Sequence, residues 1–197
     1  MKELVVATDN KGKLREIAGA LDALDFRVIS YREFSPAPPI VEDGDTFRDN
    51  ALKKARIVAR HTGRLTIADD SGLVVDALQG KPGVHSARFA GEGATDQENN
   101  RKLLGCLQNV PPACRGATFR CVIAVVDPDG REAVVEGACR GQIEVEERGS
   151  NGFGYDPLFI VPELGKTLAE LPLSVKNGVS HRGKALDALK EALKNFS

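Results

Sequence analysis

The apolar positions fall into alternating strand-like and helix-like runs. Leu4-Val5-Val6-Ala7 reads as a buried strand, and Leu14, Ile17, Ala18, Leu21 and Leu24 then recur at helical spacing. Phe26-Arg27-Val28-Ile29 returns as a strand, so residues 3–30 are expected to form one βαβ unit. A second helix is expected from the stripe Phe47, Ala51, Ala55, Val58 and Ala59, with Gly63 where a C-terminal cap belongs. Leu65-Thr66-Ile67-Ala68 reads as a buried strand that ends in Asp69-Asp70-Ser71-Gly72, the glycine letting the chain turn.

Beyond it, residues 80–91 are glycine-rich and irregular. Thr95 and Glu98 form a capping box for a helix carrying Leu103, Leu104 and Leu107. Residues 117–126 and the segment from Ala133 flank the turn Asp127-Pro128-Asp129-Gly130, which predicts an antiparallel hairpin with Phe119, Cys121, Ile123 and Val125 in the core. Leu158-Phe159-Ile160-Val161 is a further short strand. Ser180 is a good N-cap for a last helix striped by Ala185, Leu186, Leu189 and Leu193. The alternation predicts an α/β fold. With no repeat and no linker rich enough to divide the chain, residues 1–197 are expected to be a single domain.

Charge narrows the function classes. The formal net charge is -1, so there is no global basic field to attract DNA or RNA, and any polyanion bound must be small and held locally. No apolar run approaches membrane length, and Met1-Lys2-Glu3 leads straight into a strand rather than a signal peptide, so a cytoplasmic protein is expected. The cysteines Cys106, Cys114, Cys121 and Cys139 form no C-x-x-C pair and are expected to be buried thiols rather than a disulfide frame or zinc site.

Four stretches carry candidate chemistry. Asp69 and Asp70 at the end of a strand lie where α/β sheets bind ligands. Their carboxylates suit a hard cation such as Mg²⁺ or a proton from water, and equally an acidic turn with a capping aspartate. Thr8, Asn10 and Lys13, in the turn Asp9-Asn10-Lys11-Gly12-Lys13, stand where a helix N-terminus favours anions. That turn lacks the glycine spacing of a Walker loop, and reads either as a phosphate cradle or as an ordinary polar turn. On the second helix Lys53 lies one turn beyond Asn50, off the apolar stripe, and either shares a cleft with it or faces solvent. In Gly152-Phe153-Gly154-Tyr155-Asp156-Pro157 an aromatic between glycines can lie open to stack on a base, or belong to a tight turn. His181 and Arg182, two cationic donors at a helix start, oppose its dipole, a conflict a ligand would explain.

Taken in order, six motifs resemble the inosine triphosphate pyrophosphatase family, which hydrolyses non-standard purine nucleoside triphosphates. They are Ala7-Thr8-x-Asn10-x-x-Lys13, Glu42-x-Gly44-x-Thr46-Phe47-x-x-Asn50-Ala51, Ala68-Asp69-Asp70-Ser71-Gly72-Leu73, Gly80-x-Pro82-Gly83-x-x-Ser86-Ala87-Arg88, Gly152-Phe153-Gly154-Tyr155-Asp156-Pro157 and Ser180-His181-Arg182-Gly183, which together span nearly the whole chain. The resemblance implies a long mixed, twisted sheet flanked by helices, with two lobes around a central cleft, and a homodimer.

It also implies residue roles. The turn from Thr8 through Asp9, Asn10, Lys11 and Gly12 to Lys13 would hold the triphosphate, with Lys53. Glu42 and Asp70 would bind Mg²⁺, Asp70 would take the proton from the attacking water, and Ser71 would touch the substrate. Phe153 would stack on the purine, with Gly154, Tyr155, Asp156, Lys176, His181 and Arg182 around it. Asp9 stands where glycine or asparagine is frequent in the family, and its charge would slightly weaken binding of a phosphate chain. A non-hydrolytic nucleotide sensor is disfavoured by the Glu42/Asp70 pair, a pyrimidine-directed relative by the purine-edge set, and a single-strand nucleic-acid binder by the net charge.

Overall fold

The computed structural model describes residues 2–22 and 24–196. Strand β1 (Lys2–Val6) leads into helix α1 (Lys11–Leu21) and strand β2 (Phe26–Ser30), and β2 pairs parallel with β1, Leu4 opposite Val28. The expected βαβ unit is thus present. Asn10 caps α1, its side chain accepting from the amides of Gly12 and Lys13. Helix α2 (Phe47–Thr62) starts at the Thr46 cap and stops at Gly63, whose φ of +63° suits a residue without a side chain.

Strand β3 (Thr66–Val75) departs from expectation. It does not end at Ala68, and the chain does not turn at Gly72; the strand runs on through both aspartates. Helix α3 (Asp96–Leu107) has its Thr95/Glu98 capping box. Strands β4 (Gly116–Val126) and β5 (Glu132–Ile143) neighbour each other in the sheet, and the turn between them closes through the Gly130 amide donating to the Asp127 carbonyl. Short strands β6 (Phe159–Val161) and β7 (Lys166–Thr167) follow, then helices α4 (Leu173–Val179) and α5 (His181–Leu193). Within residues 80–91 the segment Gly83–Arg88 forms a 3₁₀ helix where irregular chain was expected. The strands form one mixed sheet in the order β2-β1-β3-β4-β5-β6-β7; β3 joins β1 in parallel, whereas β6 joins β5 and β7 antiparallel.

The chain divides into two compact units. The first gathers the chain up to Asp70, Cys121–Gly137 and the chain from Ala185 on. Its core holds Leu4, Val6, Ile17, Leu21, Ile67, Cys121, Ile123, Val125, Leu186 and Leu189. The second takes Ser71–Arg120 and Ala138–Lys184, with a core of Leu73, Leu103, Leu107, Phe119, Tyr155, Leu158 and Phe159. Cys121 and Cys139 are buried as expected; Cys106 and Cys114 are exposed, because their positions on α3 and beyond it face away from the core. Among the described residues no helix is long and apolar enough to cross a membrane.

Helices α4 and α5 meet at Ser180 with no linker, and Gly183 makes that junction possible. A Cβ there would sit 1.7 Å from the Asn177 carbonyl oxygen, a main-chain atom that no rotamer change can move away. Gly183→Ala is therefore expected to cost about 1–3 kcal/mol, read as a lowered midpoint in chemical denaturation; an unchanged midpoint would show that the junction yields freely.

Candidate functional site

In the first unit the buried carboxylates are held by two lysines. Asp69 and Asp70 lie in consecutive, almost fully buried positions of β3, so they point to opposite faces of the sheet. Burial of an ionised carboxylate requires a partner, and each has one from a helix. Lys13, in the first turn of α1, reaches Asp69 Oδ1, while the Cys121 thiol of β4 donates to Asp69 Oδ2 at 3.0 Å. Lys54 of α2 lies against Asp70 and Glu42: its ammonium pairs with Glu42 Oε1, lies 3.7 Å from Asp70 Oδ1 and donates to the Asp69 carbonyl at 2.8 Å.

The charge balance of this group follows from burial. Desolvation raises the proton affinity of Asp70; Lys54 and Lys13 pull it back down, Glu42 pushes it up, and a hydrogen bond with Asn50 lowers it, for a net upward shift. Burial also penalises the Lys54 ammonium, but the fields of Asp70 and Glu42 outweigh it and keep the lysine charged. Asn50 fixes the approach to the group: its Oδ1 accepts from the Gly44 amide at 2.8 Å, in the loop that bears Glu42.

Lys53 stands elsewhere. It pairs with Asp43 on the exposed side of α2, so it does not share Asn50's surroundings; Lys54, one full turn of four residues from Asn50, does. The Thr8–Lys13 turn is partly self-satisfied, since Asn10 Oδ1 takes the Gly12 and Lys13 amides and the Asn10 amide donates to Thr8 Oγ1 at 3.2 Å. Lys11 is exposed beside it. Asp9 is not a bare charge near this turn. Arg32 grips it with two bonds of 2.6 and 2.8 Å, the Tyr31 hydroxyl donates to it, and Arg32 holds its carboxyl below the usual range.

In the second unit, residues 152–156 form a tight loop. The Phe153 amide donates to Asp156 Oδ2 at 2.9 Å, and Lys176 donates to the same oxygen at 2.6 Å. Gly152 has φ +79°, and a Cβ on it would lie 2.1 Å from Asp156 Oδ2, so only glycine lets the carboxylate tuck under the loop. The Phe153 ring meets two cations: Lys176 Nζ lies 5.0 Å and Arg182 Cζ 5.4 Å from its centroid. Arg182 also donates to Ser71 Oγ at 2.8 Å. His181 is buried and stacks on Phe119, the rings 4.5 Å apart and 8° from parallel. The Tyr155 hydroxyl donates to the Ser86 carbonyl at 2.8 Å, and burial keeps that hydroxyl protonated far above the usual tyrosine range.

Sequence reasoning thus names Glu42, Asp70, Lys13 and Asn50, and the second-unit set, but passes over Lys54 and the Cys121 contact in the first unit. Lys54 is detectable as the polar residue at i+4 from Asn50, bordering the apolar stripe. Cys121 carried no such signal, because it reads as core in an apolar strand. A stability contrast tests the central role of Lys54. Lys54→Ala leaves buried carboxylates uncompensated and should cost about 3–5 kcal/mol, whereas Lys53→Ala should stay within about 1 kcal/mol; equal losses in urea titrations would refute the assignment.

The chain matches known proteins over nearly its full length. Residues 4–192 match the model of the Ham1 family. The dITP/XTP pyrophosphatase of Geobacter sulfurreducens is 57% identical over 98% of this chain and 97% of its own length, and that of Desulforamulus reducens 54% identical over 97% and 95%. Among solved structures, a HAM1 protein from Coxiella burnetii superposes with a TM-score of 0.90 at 44% identity, covering 99% of this chain and all of the other. The nucleoside-triphosphatase / dITP/XTP pyrophosphatase of Mycobacterium abscessus gives a TM-score of 0.77 at 44% identity over 95% and 98%. A family match over nearly the full length, relatives above half identity and the resemblance of the six motifs lead to one assignment: the chain belongs to the Ham1 family.

Proposed function

We propose that the protein hydrolyses non-standard purine nucleoside triphosphates, those of hypoxanthine and xanthine in ribo or deoxy form, to the monophosphate and pyrophosphate. The observation that carries this reading is the Glu42–Lys54–Asp70 group, a pair of carboxylates converging on one cationic centre with Asp70 buried and its proton affinity raised. The names of the relatives, dITP/XTP pyrophosphatase, support the substrate class. Magnesium as cofactor and a homodimer belong to the same proposal and rest on the family resemblance; a cytoplasmic location is proposed with them.

Glu42 and Asp70 would offer magnesium hard carboxylate oxygens; they face the Lys54 ammonium, and among the described residues no group of three or more His, Cys, Asp or Glu side chains is placed to hold a metal. Magnesium commonly takes one or two carboxylates and completes its shell with water and phosphate oxygens. When bound, it would neutralise phosphate charge and polarise the phosphoryl oxygens.

The chain's own residues supply the remaining steps. A triphosphate carries about four negative charges, so cations must meet it before a nucleophile can approach. Lys13 and the Thr8–Lys13 turn are assigned to the phosphate chain, together with Lys53, which pairs with Asp43. Asp70 takes the proton from water as its oxygen bonds to the α-phosphorus and the bond to the bridging oxygen breaks, releasing pyrophosphate. A carboxylate with raised proton affinity is the better acceptor for that proton. In the second unit Phe153 is assigned to stacking on the base, and Arg182 and His181 to donating to the six-carbonyl of hypoxanthine or xanthine, with Lys176 and Asp156 along the same edge and Ser71 beside Arg182. Adenine presents an amino group instead, and a site built on such hydrogen bonds can discriminate by about 10⁴-fold.

Pyrophosphate release from inosine triphosphate with and without magnesium is the direct test. Asp70→Asn should abolish it. Because burial raises the folded-state pKa of Asp70, ionisation works against folding as pH rises through that value, so the uncharged variant should be at least as stable as the parent at neutral pH. For the parent, kcat/KM should fall as pH drops and Asp70 gains its proton, with the limb above the ordinary aspartate value of about 3.9 at low magnesium. More magnesium should move that limb downward, since a bound cation favours the ionised carboxylate. Turnover by Asp70→Asn near the parent rate would remove Asp70 from the chemistry.

A further inference from the structure

The loop that carries Phe153 is held by a helix to which no role has been assigned. Gly154, the residue after Phe153, has φ +62°, and both of its main-chain polar groups go to α3. Its amide donates to Asp96 Oδ2 at 2.7 Å, and its carbonyl accepts from Asn100 Nδ2 at 3.2 Å. Asp96 and Asn100 are four residues apart and therefore share one face of α3. The same Asn100 amide donates to Glu147 Oε1 at 2.8 Å, which fixes which end of the side chain is nitrogen.

The cost of this arrangement points beyond packing. Asn100 is 3% exposed, and its Oδ1 has no hydrogen-bond partner among the described residues. A buried acceptor left unmatched is destabilising, so the side chain is carried at a cost set against its two donor bonds, to Glu147 and to the Gly154 carbonyl. The amide is kept for its donors. Asp96, by contrast, is exposed and sits in the first turn of α3, where the helix dipole favours a carboxylate without any need for the loop. Its bond to the Gly154 amide joins a charged acceptor to the loop main chain, a class roughly twice as strong as a neutral pair.

We infer that Asp96 and Asn100 are positioning residues for the purine: they clamp Gly154 from both sides and so set the Phe153 ring for stacking on the base. The inference rests on the purine nucleotide reading given above. Asp156 fixes the loop at the Phe153 amide and Tyr155 fixes it at Ser86. Without the α3 clamp the peptide between those two anchors can rotate, and the ring beside it loses its fixed plane. Neither Asp96 nor Asn100 is assigned a contact with the phosphate chain. Their loss should weaken recognition of the base and leave recognition of the phosphates intact.

The test uses the full-length protein with magnesium, after thermal melting shows each variant folded. For Asp96→Ala, KM for inosine triphosphate should rise about tenfold with kcat within about twofold, matching the loss of one charge-assisted bond. Inhibition by inorganic triphosphate, which has phosphates and no base, should be unchanged. Asp96→Asn keeps an acceptor for the Gly154 amide and should recover most of the parental KM. Asn100→Ala should raise KM in the same direction; should it fail to fold, the two Asp96 variants decide alone. An unaltered KM in Asp96→Ala, an equal loss of inorganic triphosphate inhibition, or no recovery in Asp96→Asn would overturn the inference. A parent protein that releases no pyrophosphate from inosine triphosphate would overturn the functional reading instead, and the two failures are distinguished by that first measurement.

Discussion

A single buried ammonium organises the first unit. Lys54 faces Glu42, Asp70 and the carbonyl of Asp69 from α2, and it offsets the buried charge of Asp70 in the middle of the strand. Taking such charges out of water is expensive, and their mutual attraction roughly offsets the penalty rather than exceeding it. The arrangement is therefore poor evidence of selection for stability. It makes sense as a preorganised charge group, in which the lysine keeps two carboxylates close together that would otherwise repel. Asp69 is held separately, on the opposite face of β3, by Lys13 and the Cys121 thiol. Each aspartate thus has its own helix, and neither carboxylate is exchangeable with the other.

That division explains why the strand was harder to read than the helices around it. The helices announced themselves locally: Thr46 and Gly63 bracket α2, Thr95 and Glu98 start α3, and Ser180 caps α5 through the Gly183 amide. The βαβ start and the apolar stripes were equally legible, because periodicity depends only on near neighbours. Asp69-Asp70-Ser71-Gly72 looked like the end of a strand, since carboxylates and glycine disfavour strand interiors when judged by propensity. What overrides propensity here lies 15 to 56 residues away in the chain, in Lys54 and Lys13. No local signal encodes those partners.

The choice between Lys53 and Lys54 shows a subtler limit. Both neighbour the apolar stripe of α2, and a one-residue error turns the side chain by about 100° around the helix. The residue that settles the matter is Asn50, whose amide holds Gly44 and whose burial marks the face Lys54 shares. Read from Asn50 in steps of four, the polar positions 50 and 54 run along the inner edge of the stripe formed by 47, 51, 55 and 58. Two polar residues at that spacing against small alanines are what a buried charge group needs, because Ala51 and Ala55 leave room for a long side chain. The motif resemblance names Glu42, Asp70, Lys13 and Lys53, and the ion pairs add that Lys54 is the lysine beside Glu42 and Asp70 while Lys53 pairs with Asp43.

In the second unit the conflict between helix dipole and cation at the start of α5 has a structural resolution. His181 and Arg182 stand at an N-terminus where positive charge is unfavourable. Each has a contact of its own: His181 stacks flat on Phe119, and Arg182 bonds to Ser71 while lying over the Phe153 ring. Lys176 reaches the same ring from α4 and is itself neutralised by Asp156. Two cations at one aromatic ring leave the group rich in donors and poor in acceptors, for Asp156 is already shared between Lys176 and the Phe153 amide. Such a set favours a partner that brings its own acceptors, as an oxo-purine does. On the purine reading proposed above, an aminopurine edge such as adenine's would add donors where acceptors are needed, whereas guanine shares the six-carbonyl and is not told apart by these donors.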